Sequence, residues 1–214
     1  MHDLALDFIQ HVKRVQKRHD HETDFYRLAT SLGLRVAPGT HNAIFPGDPP
    51  TITIQYGLYA ARYAQRIGMH EIAHYLLWDS GIDQEVQRLH GDWPGAEETL
   101  ELLAHLGATI LHLPDPLLKE ARFLHGDEAA ALLHLYQSSN AGLGEVLRRW
   151  VHAEEDASRA AWTSAGPYIN DIATQNARLP FWKWSRVPEV DIMIPEATLL
   201  AVPGRGRVLG AVGW

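Results

Sequence analysis

Cysteine is absent from this chain of 214 residues. Disulfide bonds and thiolate metal ligands are therefore excluded, and any bound transition metal has to be held by imidazole and carboxylate groups. The chain also lacks an apolar run of about eighteen residues, so no membrane-spanning helix is predicted. Its acidic N-terminus has no cationic start before an apolar stretch, which is unlike a secretory signal, and we expect a cytoplasmic protein.

Basic charge is scarce as well. The chain has 19 lysine and arginine residues against 26 aspartate and glutamate residues, which gives a net charge of −7 with histidine neutral. Nucleic-acid-binding domains usually carry a basic surface. The only local basic patch, Lys13-Arg14 with Lys17-Arg18, is typical of a solvated helix face, so direct DNA binding is not expected.

Apolar residues make up 46% of the chain, which is enough for a hydrophobic core, and their spacing predicts a mixed α+β fold. Helical spacing predicts helices at residues 4–15, 22–32, 59–78, 96–111, 115–123, 127–136 and 141–153. Alternation and turn residues predict strands at residues 34–36, 43–45, 51–55, 191–194, 198–202 and 207–209. Residues 79–95 are predicted to form a loop, and the segment after residue 159 is predicted to be rich in β-structure.

The strongest chemical signal is the motif His70-Glu71-Ile72-Ala73-His74 in the long central helix. Residues four apart on a helix lie on one face, so the two imidazoles can converge on a single cation. Zinc suits such a site because it accepts nitrogen and oxygen ligands and keeps one position open when it is catalytic. Glu71 is then free to act as a general base.

A catalytic zinc site needs a third protein ligand, and the next predicted helix offers several. Glu97, Glu101 and His105 fall on one face at spacings of four residues, and Glu98 lies close by. We favour Glu101, although the residues alone leave the other three open. The ordinary alternative for these carboxylates is a solvated helix face.

Two stretches of the chain together resemble the ImmA/IrrE family of metallopeptidases. The first is the His70–His74 motif helix with short strands before it. The second is a helix in which a glutamate stands thirteen residues ahead of a proline with small residues between them, here Glu101 and Pro114. The resemblance covers residues 34–151. It implies that Glu101 is the third zinc ligand, that Arg66 matches an arginine that commonly precedes the motif, and that residues 138–149 form a helix-turn-helix-like element.

The chain departs from the family pattern at three points. Ile72-Ala73 stands where the family usually has Leu-Gly or Ile-Gly. His105 stands where the family usually has an asparagine, and Gly107 stands where a larger residue is common. None of these changes removes a ligand. The change at His105 implies either rearranged surroundings of the ligands or a competing ligand.

The resemblance and the predicted elements together indicate a three-part organisation. The resemblance implies a zincin-like metallopeptidase domain, placed at residues 1–115, in which a short mixed sheet accompanies the motif helix, and then a helical, helix-turn-helix-like segment at residues 116–156. The strand-like runs after residue 159 predict a β-rich C-terminal segment at residues 157–214, which the resemblance does not cover. The resemblance implies a zinc enzyme that cleaves helix-turn-helix repressors of the XRE type in responses to DNA damage, stress or mobile elements. The sequence does not distinguish zinc from manganese as the metal in the cell.

Three points stay open from the sequence. The group that would stabilise the oxyanion is one of Tyr75, Arg66, His90 and His105. A second hypothesis is an inactive regulator that binds a partner repressor or DNA through residues 138–149. A third is a structural zinc site, which the absence of a fourth ligand and of cysteine disfavours.

Overall fold

A computed structural model describes residues 4–55, 61–91 and 94–214 of the chain. The fold is mixed α+β, with helices, two small sheets and two compact units, Met1–Pro114 and Asp115–Trp214. The elements of the first unit are α1 Leu4–Arg18, α2 Phe25–Ser31, β1 Arg35–Gly39, β2 Ala43–Phe45, β3 Thr51–Gln55, α3 Ala61–Ser80, α4 Ile82–His90 and α5 Pro94–His112. Those of the second are α6 Asp115–His125, α7 Ala129–Ser138, α8 Leu143–Val151, β4 Arg159–Ala165, β5 Tyr168–Gln175, α9 Val190–Met193, β6 Thr198–Val202 and β7 Arg207–Gly213.

The sheet of the first unit has the strand order β1-β3-β2. The central strand β3 pairs in parallel with β1 and antiparallel with β2, so Ile52 has Val36 on one side and Ile44 on the other. Ile52 and Ile54 alternate with polar residues and are fully buried, as the β-branched alternation of this segment predicts. The prediction of three short strands before the motif helix is confirmed.

The core of the first unit forms where α1, α3 and α5 pack together. The side-chain amide of Gln16 on α1 donates to the carbonyls of Ile110 (2.9 Å) and Leu111 (3.2 Å), which lie in the last turn of α5. Carbonyls at the end of a helix have no partner within that helix, so this buried amide satisfies groups that would otherwise be orphaned. It also fixes the end of α5 against α1.

The helix predicted at residues 59–78 corresponds to α3, Ala61–Ser80. The start of the predicted helix, residues 59–60, lies outside the described residues.

The prediction of a loop over residues 79–95 is wrong. After Ser80 the chain turns at Gly81, which has a φ of 73°, and α4 then runs from Ile82 to His90. Ile82 and Val86, four residues apart, are buried on the inner face of this helix. The turn at Gly81 ends one helix and allows the next to begin immediately, because glycine adopts a positive φ without steric cost.

The second unit combines the helices α6, α7 and α8 with a four-stranded antiparallel sheet of order β5-β4-β7-β6. The buried face of α8 packs against β4 and β5. The predicted boundary between residues 116–156 and 157–214 therefore falls inside one compact unit, because neither the helices nor the sheet covers its apolar face alone.

The strand predicted at residues 191–194 is wrong. Val190–Met193 is a single helical turn, and the apolar side chains on either side of it, Val190 and Ile194, are buried in the small core around Trp162. A four-residue apolar run fits a helical turn as well as a strand, so its pattern does not distinguish them. Within the described parts of the chain, no helix combines the length and the apolar character needed to cross a membrane.

Candidate metal centre

The position of the two motif histidines follows from the buried face of α3. Met69, Ile72, Ala73 and Leu76 recur at helical spacing and are fully buried, which sets the rotation of the helix against the core. His70 and His74 consequently lie half-buried at the margin of that face. Their Nε2 atoms are 3.1 Å apart, and their rings meet edge to face with centroids separated by 4.7 Å.

Glu101 reaches this pair from α5. Its Oε2 atom lies 3.3 Å from Nε2 of His70, and its Oε1 atom lies 3.2 Å from Nε2 of His74. We name these three residues the His-His-Glu cluster. Among the residues that the structure describes, it is the only group of three or more histidine, aspartate or glutamate side chains whose ligand atoms all lie within 4.8 Å of one another.

The spacing of the His-His-Glu cluster fits a tetrahedral metal ion. Zinc binds imidazole nitrogen and carboxylate oxygen at about 2.0–2.1 Å, so two ligand atoms of a tetrahedral site are about 3.3 Å apart. The distances of 3.1, 3.2 and 3.3 Å between the facing atoms are close to that edge, with each imidazole facing a different carboxylate oxygen of Glu101. Hydrogen bonds alone fit less well, because if both Nε2 atoms donate to Glu101, the 3.1 Å contact between these two nitrogens brings two donors together with no acceptor. A cation between the three groups removes this conflict.

Burial keeps both imidazoles neutral. It lowers the pKa of His70 to about 4, with further lowering from the neighbouring His74 and His105, while Glu101 opposes the change. Burial also lowers the pKa of His74. A histidine binds metal only in its neutral form, so these two side chains are ready to act as ligands at neutral pH.

Glu71 lies next to His70 and is only 7% exposed. Burial, and secondly the negative charge of Glu101, raise its pKa to about 7. A general base works best when its pKa lies near the working pH, so Glu71 has the property that proton transfer at neutral pH requires. Its side chain is not part of the His-His-Glu cluster.

The other residues that the sequence predicts as ligands or oxyanion-stabilising groups lie outside the His-His-Glu cluster. Glu97 and Glu98 are exposed on the first turns of α5 and are not part of the His-His-Glu cluster, and His90 is exposed on α4. His105 is exposed, and its ring centroid lies 4.5 Å from that of His70.

The two remaining candidates for the oxyanion-stabilising group lie on α3. Arg66 is exposed one turn before His70. Tyr75 is half-buried against the core, and its ring lies 6.0 Å from that of Trp78. Burial and the charge of Asp79 raise the pKa of Tyr75, so its hydroxyl stays protonated at neutral pH.

The helix-turn-helix-like segment predicted at residues 138–149 runs from the last residue of α7 through residues 139–142 into α8, which continues to Val151. Its two arginines both face carboxylates. Arg149 is buried and pairs with Asp115, and Arg148 lies 3.4 Å from Asp171. The apolar face of α8 is turned to the sheet of its own unit. This segment therefore serves as packing within the second unit.

Ala73 on α3 and Gly107 on α5 are two small residues for which the sequence predicts no site role. The structure brings them close together where the two helices pack, so that a Cβ atom added to Gly107 would stand 3.0 Å from the Cβ of Ala73. In the sequence, these two residues differ from the family that the chain resembles, which usually has glycine in place of Ala73 and a larger residue in place of Gly107. Comparison of the chain with models of protein families and with curated proteins found no match.

Proposed function

We propose that this protein is a zinc-dependent endopeptidase whose metal is held by His70, His74 and Glu101. The observation that carries the proposal is the convergence of Glu101 with the two motif histidines, at the spacing that a tetrahedral zinc ion needs. Three protein ligands leave a fourth position for water or substrate, which is the arrangement of catalytic rather than structural zinc sites.

Zinc, when bound, supplies a Lewis acid that activates water for attack on a peptide carbonyl. Glu71 takes the proton that the attacking water gives up and passes it to the amine of the leaving peptide. Its burial and raised pKa support this role, because a carboxyl group with a pKa near 7 both accepts and returns a proton at neutral pH. Manganese is the alternative metal, since it also accepts imidazole and carboxylate ligands.

The zincin-like description of the first unit belongs to the same proposal. It is supported by a three-stranded sheet that precedes the motif helix and by a third carboxylate supplied from a later helix. The edge strand β2 lies beside α3, and among the described strands only β3 pairs with it; an extended peptide can add to such an edge.

The proposed substrate is a helix-turn-helix repressor of the XRE type, in a cytoplasmic response to DNA damage, stress or mobile elements. This part of the proposal rests on the resemblance of residues 34–151 to the ImmA/IrrE family. The ion pairs of Arg148 and Arg149 within the second unit support a protein substrate over DNA as the partner, because they leave these two charges engaged with carboxylates.

The test is to incubate the zinc-loaded protein with a purified helix-turn-helix repressor encoded beside its gene. We expect a discrete cut that is lost in Glu71→Gln, while that variant keeps its zinc. Cleavage at the normal rate by Glu71→Gln would show that Glu71 is not the base. Tight binding of the repressor by the wild-type protein without any cut would favour the alternative of an inactive regulator.

A further inference from the structure

His105 is the one aromatic side chain that α5 presents to the His-His-Glu cluster within the described structure. It stands one helical turn after Glu101, so both side chains leave the same face of α5. Its ring lies against that of His70, with centroids 4.5 Å apart and an interplanar angle of 41°. His70 therefore contacts two rings, and the second is that of His74, edge-on at 4.7 Å.

The second nitrogen of His70 makes this contact significant. A metal-ligating histidine almost always donates its other ring N–H to a carboxylate, a carbonyl or water, and this bond fixes the orientation of the ring. Nδ1 of His70 is buried and has no hydrogen-bond partner in the part of the chain that the structure describes. Since none of the described residues supplies such a bond, packing against neighbouring side chains contributes to the orientation of the ring.

We propose that His105 is a positioning residue whose ring braces the imidazole of His70 and keeps its Nε2 atom directed at the metal position. The proposal rests on the proposed metal centre. His105 acts here through its ring surface and not as a ligand, because the His-His-Glu cluster defined by mutual ligand distances does not include it. A flat ring at this position restricts rotation of His70, and the helix that carries Glu101 supplies the brace along with the ligand.

Three roles for His105 differ in the side-chain chemistry that each requires, so substitutions of His105 can distinguish them. A brace needs a flat ring and no nitrogen. A ligand needs a ring nitrogen and would add to the metal affinity directly. A group that only stabilises the oxyanion needs an N–H and would affect turnover while leaving the zinc affinity unchanged.

The experiment measures the dissociation constant of zinc by competition with a chromophoric chelator for wild type, His105→Phe and His105→Ala. Loss of an outer partner of a metal ligand typically weakens metal affinity about 10- to 100-fold. We expect a weakening in this range for His105→Ala and an affinity within about twofold of wild type for His105→Phe. The absorption spectrum of the cobalt-loaded protein should change in His105→Ala and be restored in His105→Phe.

His125→Ala is a matched control. His125 also lies against a second histidine ring, that of His134, with centroids 5.3 Å apart, and it is not part of the His-His-Glu cluster. Loss of this ring contact should leave the zinc affinity unchanged.

Two results would overturn the brace while leaving the metal centre standing. One is equal weakening in His105→Phe and His105→Ala, which would assign the role to a ring nitrogen. The other is an unchanged affinity in both variants. A wild-type protein that binds no zinc would overturn the metal centre and the brace together, and this result is distinguishable from the first two.

Discussion

Gly107 on α5 lies against Ala73 on α3, so that a Cβ atom added to Gly107 would stand 3.0 Å from the Cβ of Ala73 and 2.8 Å from the ring of Phe8. Ala73 sits between the two motif histidines in the sequence. The absence of a side chain at Gly107 therefore allows α5 to approach α3 at the level of the metal site. This close approach brings the carboxylate of Glu101 within 3.3 Å of both imidazoles.

Gly107→Ala should therefore displace α5 from α3 and move the ligand Glu101 away from the two imidazoles. Loss of an outer contact of a metal ligand weakens metal affinity about 10- to 100-fold, so we expect displacement of the ligand itself to weaken zinc binding by about tenfold or more. Helix propensity acts the other way, because alanine stabilises a helix interior by about 1 kcal/mol over glycine. A loss of zinc affinity would consequently report the packing of α3 against α5. Zinc affinity and thermal unfolding should be measured together.

The matched control is the double variant Ala73→Gly with Gly107→Ala, which moves the one methyl group across the interface. We expect it to recover part of the zinc affinity that Gly107→Ala loses, because it relieves the contact with Ala73 while the contact with the ring of Phe8 remains. Contacting residues of this kind show non-additive energies. If the two substitutions simply add, Gly107 and Ala73 do not set the distance between the helices.

Glu101→Ala should lower the zinc affinity by more than the 10- to 100-fold typical of a lost outer partner, because it removes a ligand. Glu97→Ala is the control, since Glu97 is exposed one turn earlier on the same helix and is not part of the His-His-Glu cluster. Titration of both variants with zinc checks the assignment. An equal loss in the two variants would contradict it.

The relation between α3 and α5 shows what the sequence could and could not predict. The spacing of His70 and His74 predicts their shared face, because helix geometry is local. The partner of this pair depends on how two helices separated by a turn and by α4 pack together. Residue chemistry alone therefore left Glu97, Glu98 and His105 open beside Glu101, and the structure places Glu101 within the cluster.

For the fold as well, the elements that depend on local sequence pattern were predictable, and the order of strands that are distant in the sequence was not. Long periodic helices and the β-branched strand Thr51–Gln55 follow from local pattern. The sequence prediction did not include α4, although Ile82, Val86 and Leu89 recur at helical spacing, because the helix is only nine residues long and lies between Gly81 and Gly91, which are typical of turns. The four-strand order of the second sheet depends on contacts distant in the sequence, such as Trp162 opposite Gly210, which no local pattern specifies.

The stability of the metal-free protein should depend on pH through Glu71. Its pKa rises from an ordinary value near 4.5 to about 7 on folding because the carboxyl group is buried. The folded state therefore favours the protonated form, and stability is fully present below pH 4.5 and is lost as the pH rises through 7. Glu71→Gln has no carboxyl group to ionise at this position, so its stability should not fall in this way as the pH rises.

Unfolding of wild type and Glu71→Gln in a chelator, from pH 4.5 to pH 8.5, measures the effect. We expect the two proteins to differ little at pH 4.5 and Glu71→Gln to be more stable at pH 8.5, by on the order of 1–3 kcal/mol. The histidines affect both proteins alike and cancel in the comparison. A difference that stays constant with pH would show that the buried carboxylate is not its source.

The protein should not bind duplex DNA in a salt-dependent manner. Its net charge is −7, and the two arginines of the helix-turn-helix-like segment face Asp171 and Asp115. Phosphate binding depends on free cationic groups and weakens steeply with salt. Fluorescence anisotropy of a labelled duplex at low and high salt tests this prediction, and binding that falls with salt and is lost in Arg148→Ala would contradict it.

The most direct measurement is the anomalous diffraction at the zinc edge from crystals of the zinc-loaded protein. We predict one strong peak about 2.1 Å from Nε2 of His70, from Nε2 of His74 and from a carboxylate oxygen of Glu101, with the fourth position open to solvent. A peak at any other place, or one closed by four protein ligands, would contradict the catalytic metal centre.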